Sequence, residues 1–410
     1  MLKIALLGYR SHPYVGGQGI YLKYLSQALA DMGHQVDVYS GPPYPELDSS
    51  VNLIKVPSLN LYEHENHVRA LRWHHLKSYT DTYEWWEMLT GGFGEPYTFG
   101  RRVYKLLKKQ NYDIIHDNQS LSFGILKLHQ RHKNVVCTIH HPIHRDRDLA
   151  IEAAKDKLYK SLAKRWYSFI NMQEKVVSKI QHVVTVSETS QRDIAECFNR
   201  CSQSISVIPN GIDTKTFKPL GHIEKRPYRV ITTASSDQPL KGLKYLLEAF
   251  AQLKNQCKET HLVIIGKLKE NGDAARLISK YQLQNAITFK HGLSTPELVE
   301  EYNKAVVAVC PSLYEGFGLP AAEAMACGLP VVSTDGGALP EVVGDAGVIV
   351  PAANAPALAN ELLTILSSEQ QRKDLSIKGR KRIEEQFCWS RVAQQMTDFY
   401  QSQVIDHAHG

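Results

Sequence analysis

The stretch Tyr314–Pro330 reads YEGFGLPAAEAMACGLP and follows an apolar run, AVVAVCPS, that ends at Ser312. A run of strand length, then glycines, then a proline opening a small-residue helical pattern, marks the passage from a strand into a helix. Gly316 and Gly318 let the main chain approach a ligand closely, and Pro320 has its fixed φ where the helix begins. The main-chain groups of Gly316, Phe317, Gly318 and Leu319 would then face outward as an anion site of pyrophosphate size. Glu315 stands ahead of the turn and Glu323 about one helical turn beyond it, with seven residues between them. Glu323 is placed to accept hydrogen bonds from ribose hydroxyls, and Glu315 to meet a sugar hanging from the second phosphate. Charged helix faces also supply such glutamate pairs, but they do not explain the Gly, Pro and small-residue context.

The same strand-to-helix grammar runs through the chain. LKIALLG leads to a helical pattern from about Gly19 to Met32, then come QVDVYS, DIIH, NVVCTI, HVVTV and ISVIP. A second series, RVITTA, THLVIIG, AITFKHG, AVVAVCPS and LPVVST, starts near Arg229. Alternation of this kind predicts parallel sheets covered by helices, hence an α/β fold of two doubly wound domains, with ligand crevices at the carboxyl ends of the strands. The boundary is expected between Pro209 and Pro219, where PNGID gives a turn signal.

The bulk numbers agree with a two-domain globular protein: 410 residues, 43% hydrophobic, 22% charged, with no low-complexity tract. The net charge of +6 favours nucleotide phosphates or an anionic membrane surface without demanding a polyanion, and no nucleic-acid-binding tail is visible. Seven scattered cysteines without a CxxC pair suit a reducing cytoplasm. The N-terminal apolar run Ile4–Leu7 is shorter than a signal-peptide core, and no stretch approaches the ~18 apolar residues of a membrane span. A cytoplasmic protein, with peripheral contact at the inner face of the membrane as an option, is the expectation.

The Glu-x7-Glu spacing, the preceding CPS at Cys310–Ser312, the following PVVSTDGGALPEVV and the PNGID loop together resemble retaining glycosyltransferases of family 4. The resemblance implies a GT-B fold, two Rossmann-like domains facing each other across a cleft, with a nucleotide-sugar donor and no obligatory metal. It divides the chain into an acceptor-binding domain (1–212), a nucleotide-sugar-binding domain (213–387) and a C-terminal helix (388–410) that returns to the first domain. It also implies that Gly16 and Gly17, in YVGGQG, approach the donor, although a tight turn needs glycine anyway. A dinucleotide fingerprint is not formed there, because the gap from Gly8 to Gly16 is too long.

Lys241, in PLKGLKYLLEAF, matches the family's phosphate-binding lysine. A lysine at a helix start opposes the helix dipole, so an anion there would remove a penalty. The family's arginine about five residues earlier is absent; Ser235, Ser236 and Asp237 stand in its place, so Ser235 and Ser236 join Lys241 as phosphate-side candidates. His140, which with His141 follows NVVCTI, matches the family histidine that touches the donor sugar, and His116 is a weaker candidate. The base is expected near Gly266, Gly292 and Leu293, and UDP is preferred to GDP. The resemblance implies that Glu315 and His140 position sugar hydroxyls, with neither assigned as a covalent nucleophile, and that the departing phosphate itself takes the acceptor proton. Asp146-Arg147-Asp148 spells D-x-D but precedes a helical stretch, where first-turn charge is the simpler reading.

Two further segments stand out. Residues 57–100 form an irregular, aromatic-rich insertion whose rings either stack on sugars or lipid or fill a satellite core. Lys155–Ile180 has apolar residues at helical spacing and seven basic side chains, the pattern of a domain helix with a basic solvated face or of a helix lying on an anionic bilayer. The acceptor is expected to be a glycan or lipid-linked sugar. The rival activities are a sugar-nucleotide epimerase and a non-catalytic nucleotide-sugar-binding subunit.

Overall fold

The computed structural model describes residues 1–12, 17–64, 66–154, 156–234 and 238–405. The chain forms two compact units, one of Met1–Val186, Ser190–Ile208 and Val392–Gly410, the other of Ser187–Thr189 and Pro209–Arg391.

The first unit holds seven strands: β1 (Lys3–Gly8), β2 (Gln35–Ser40), β3 (Asn52–Lys55), β4 (Ile114–Asn118), β5 (Val135–Ile139), β6 (His182–Thr185) and β7 (Ile205–Val207). They lie in the order β3-β2-β1-β4-β5-β6-β7, all paired in parallel. Central strands such as β5 (VVCTI) are buried along their whole length, as β-branched runs covered on both faces should be. The second unit holds β8 (Arg229–Thr233), β9 (His261–Ile265), β10 (Ile287–Lys290), β11 (Val307–Cys310), β12 (Val331–Thr334) and β13 (Val348–Val350). Their order is β10-β9-β8-β11-β12-β13, again parallel.

Each sheet has one place where the winding reverses. From β1 the chain proceeds through the Gly17–Asp31 helix to β2, whereas from β4 it proceeds the other way to β5. In the second unit β8 leads to β9 and β11 leads to β12. Loops leaving such neighbouring strands diverge and open a crevice at their carboxyl ends, which is where this fold binds ligands. In the second unit Lys241 and Ser312–Gly318 fall on those loops, while in the first Asn118 ends β4 and His140 follows the neighbouring β5.

Two expectations are revised. Residues 57–100 are not irregular throughout, because a helix spans Tyr79–Leu89 and another, Glu95–Leu107, begins inside the segment. Ser78 caps the first by accepting the Asp81 N–H, and Arg102 from the second reaches Asp81 at 2.6 Å and Glu84 at 2.7 Å. The aromatic residues divide: Tyr62 and Phe93 cluster with Trp166, while Trp73, Tyr79 and Trp86 face solvent. The helical pattern at Lys155–Ile180 is also interrupted. One helix covers Lys157–Trp166, a tighter turn Tyr167–Phe169, and a second helix Ile170–Val177, with Lys155 outside the described residues.

The final helix, Trp389–Phe399, runs into wider turns through Ile405. Tyr400 is fully buried, and its hydroxyl lies 2.6 Å from His116 Nδ1, while His116 Nε2 lies 2.6 Å from Thr138 Oγ1. Both nitrogens of His116 are thus engaged, and burial lowers its pKa to about 3, so the imidazole is a neutral strut linking β4, β5 and the C-terminal segment. Tyr400→Phe should cost about 1–3 kcal/mol in urea denaturation, because it strands a buried ring nitrogen. An unchanged midpoint would show that the strut carries nothing.

Candidate functional site

In the second unit the loop leaving β8 ends in a short turn, Pro239–Lys241, and Gly242 then opens the Leu243–Gln256 helix. Gly242 has φ +64, and a β-carbon there would stand 1.8 Å from the Pro311 carbonyl oxygen. Only glycine allows this contact. It brings the β8 loop against the loop leaving β11, where the Leu313 N–H donates to the Leu240 carbonyl at 2.7 Å. With the main chains so joined, Lys241 Nζ reaches Glu315 Oε1 at 2.7 Å, and the Ser312 hydroxyl donates to the same oxygen at 2.7 Å. The pair is partly screened, with Glu315 11% and Lys241 28% exposed. The sequence had given these two residues separate parts of a ligand. The structure holds them to each other, and Glu315 is the anion that answers the lysine at the helix start.

Gly318 caps the Leu319–Ala326 helix with φ +105, and its carbonyl accepts from Ala321 and Ala322. The N–H groups of Phe317, Gly318 and Leu319 meet no acceptor among the described residues, whereas Gly316 has partners of its own. Three donors at a helix start beside a lysine form a seat for an anion.

Glu323 lies one turn in, where the Tyr302 hydroxyl donates to Oε2 at 3.4 Å. Tyr302 is almost wholly buried, and its hydroxyl also lies 3.0 Å from Thr233 Oγ1 at the end of β8. Burial raises the Glu323 carboxyl to about 7, with only the Tyr302 hydrogen bond acting against it. Nothing in the sequence pattern pointed to Tyr302, because its helix, Thr295–Lys304, reads as an ordinary amphipathic one.

A cavity of about 750 Å³ adjoins Pro239 and Leu313, lined also by Gln238, Leu243, Lys244 and Lys269. That is the size of a small-molecule site. Gly266 follows β9 and spends its N–H on the Lys290 carbonyl at 2.7 Å. Gly292, at φ +67 with open space beside it, and Leu293 follow β10. Ser235, Ser236 and Asp237 lie outside the described residues.

In the first unit the turn after β4 clamps the end of β5. Gln119, in the left-handed region at φ 58, accepts from the His140 N–H at 2.7 Å and donates to the His141 carbonyl at 2.8 Å. Asn118 Nδ2 donates to the Gln18 carbonyl at 3.1 Å, which turns its Oδ1 toward His140 Nε2 at 2.7 Å. His140 Nε2 must therefore carry the proton, leaving Nδ1 as an acceptor. Burial, with help from His141 and His116, lowers His140 to about 3, so it is neutral at physiological pH. Its Nδ1 can accept from a hydroxyl, but the neutral ring is not an imidazolium that could act as a general acid. Gly17 begins a helix in open space, whereas Gly19 is the crowded position, its β-carbon 2.3 Å from the His12 carbonyl oxygen. Gly16 lies outside the described residues. Asp146 sits in the first turn of the His144–Glu152 helix and meets His141 at 3.1 Å, while Asp148 meets Arg147 at 2.9 Å.

The family description "Glycosyltransferase Family 4" matches residues 15–216, and "Glycosyl transferases group 1" matches residues 214–382. The chain is 41% identical to the MMP alpha-(1->4)-mannosyltransferase of Mycolicibacterium hassiacum over 98% of both chains. Among solved structures it resembles sucrose-phosphate synthase from Thermosynechococcus elongatus, at 24% identity and a TM-score of 0.72 over 100% of both chains. It also resembles Anabaena HepE in complex with UDP and glucose, at 17% identity and a TM-score of 0.68 over 98% of this chain and 100% of that one.

Two outcomes follow. Gly242→Ala should lower stability by about 2 kcal/mol or more in urea denaturation, because a strained φ and a main-chain clash coincide; a neutral result would refute the close approach. Glu323 has a folded-state pKa of about 7 against an ordinary 4.5, so its burial costs stability above pH 7 and nothing below pH 4.5. Glu323→Gln should raise Tm at pH 8, with the gain fading toward pH 4.5, and a pH-independent difference would contradict the shift.

Proposed function

The chain belongs to the glycosyltransferases of family 4, and from that premise we propose that it moves a mannosyl group from a nucleoside diphosphate to a glycan hydroxyl with retention. The observation that carries this reading is the Lys241–Glu315 pair beside the Phe317–Leu319 amides at the β8/β11 crevice. The mannosyl group and the α product are taken from the name of the 41% identical relative. An α-linked donor giving an α product is retention. The epimerase and non-catalytic readings draw no support from that relative.

Cleaving the anomeric bond leaves positive charge on the sugar and negative charge on the departing diphosphate, so donors already aimed at the phosphate lower the barrier. We assign that task to the three amides and to Lys241, which turns from Glu315 to the phosphate when the donor arrives. Glu315, so released, holds a hydroxyl of the transferred sugar, and Glu323 accepts from the ribose. His140 Nδ1 holds a sugar hydroxyl in the first unit, and the departing phosphate takes the acceptor proton. No metal is needed to neutralise the diphosphate in this scheme. Uridine is the proposed nucleoside, with guanosine as the competitor.

The test is a panel of UDP- and GDP-hexoses with mannosyl acceptors, the product linkage read by NMR. Transfer of mannose giving an α linkage, undiminished in EDTA, is expected; a β product, a metal requirement or donor epimerisation without acceptor would refute the proposal. Lys241→Ala should lower kcat/KM about a hundredfold. Glu323→Ala should weaken nucleoside diphosphate binding about tenfold in calorimetry, and unchanged affinity would remove it from the ribose.

A further inference from the structure

The Lys157–Trp166 helix, KLYKSLAKRW, has none of its ten residues buried. Its apolar positions Leu158, Tyr159, Leu162, Ala163 and Trp166 share one side at helical spacing, yet Leu158 is 66%, Tyr159 57% and Leu162 45% exposed. Part of that side borders a groove of about 630 Å³ shared with Gly91, Ala150 and Ala153. Among the described residues no charged side chain lines it. Leu89 and Leu149, close by in sequence to those lining residues, are exposed too.

The charges lie on the other side of the helix and have one sign. Arg165 is answered by Glu87 at 3.0 Å. Lys157, Lys160 and Lys164 are exposed and have no carboxylate within ion-pair distance among the described residues. The helix contains no acidic residue, since Asp156 is its N-cap and spends its carboxylate on the Leu158 and Tyr159 N–H groups. A helix that packs on its own domain buries its apolar side. This one tucks only Trp166 against Tyr62 and Phe93 and leaves Leu158, Tyr159 and Leu162 exposed, with unanswered lysines on the opposite side, which is how a helix lying in a bilayer interface is built.

We propose that this helix docks the protein on an anionic lipid surface, the leucines and tyrosine entering the headgroup boundary and the three lysines meeting lipid phosphates. The charge decides among occupants. A neutral sugar chain would cover the groove but leave the lysines unanswered, and a second copy of the chain would add three more. An anionic bilayer answers both the apolar side and the charge. The proposal does not rest on the transferase reading, because vesicle binding and sugar transfer are measured separately.

Co-sedimentation of the full chain with phosphatidylcholine vesicles, with and without phosphatidylglycerol, tests it. Binding to the anionic vesicles alone, weakened by salt, is expected. Replacing the three lysines together, K157Q/K160Q/K164Q, should weaken it about a hundredfold. L158S/L162S should abolish it at unchanged Tm, since both positions are exposed. No binding at low salt, equal binding to neutral vesicles, or variants that bind like the wild type would overturn the proposal. So would a dimer in light scattering that L158S/L162S dissolves, which would give the face to a second copy.

Discussion

The contact between Gly242 and the Pro311 carbonyl is the constraint on which the candidate site depends. Parallel α/β sheets place divergent loops at their switch points as a matter of topology. Topology alone leaves those loops apart. In the second unit a left-handed glycine lets one loop press its main chain against the other, and the Leu313–Leu240 hydrogen bond fastens them. Lys241, Glu315 and Ser312 then meet within 2.7 Å, and the open amides of Phe317–Leu319 begin on the same loop. A side chain at position 242 would push the loops apart and leave lysine and carboxylate without a fixed relation.

The carboxylates of the second unit are prepared in opposite ways. Glu315 already has a cation and a hydroxyl, so its charge is satisfied before any ligand arrives. Glu323 has a single long hydrogen bond and is pushed up to about 7, so it gains from any further donor that reaches it. In the first unit His140 is held neutral, with its proton fixed on Nε2 by an amide whose own orientation is fixed by Gln18. Glu323 and His140 each keep capacity for a further hydrogen bond, whereas Glu315 is already engaged by Lys241 and Ser312.

Much of this was legible in the sequence. Buried parallel strands are continuous apolar runs, so β1, β5, β8 and β11 declare themselves, and the glycines after β11 mark the turn into a helix. The short edge strands at Asn52–Lys55 and Val348–Val350 do not, although β7 and β10, edge strands of the same length, do. The helices after Ser78 and Gly94 were hidden by Gly, Pro and aromatic residues between them. Periodicity at Lys155–Ile180 showed that an apolar stripe exists but not how far it is covered, and over Lys157–Trp166 Leu158, Tyr159 and Leu162 stay exposed. Contacts between residues far apart in sequence were beyond reach for the same reason. Lys241 and Glu315 are 74 residues apart, and Tyr302 and Glu323 are 21 apart. Local pattern says what each residue can do, while the fold decides which partner it meets.

The central claim is that the Phe317–Leu319 amides, beside Lys241, are the seat of a diphosphate. Amide ¹H–¹⁵N chemical shifts, followed as a nucleoside diphosphate is titrated into the labelled protein, report on those three groups individually. The account predicts that Phe317, Gly318 and Leu319 move together and saturate with the nucleotide. Saturable nucleotide binding that leaves all three unmoved would contradict it.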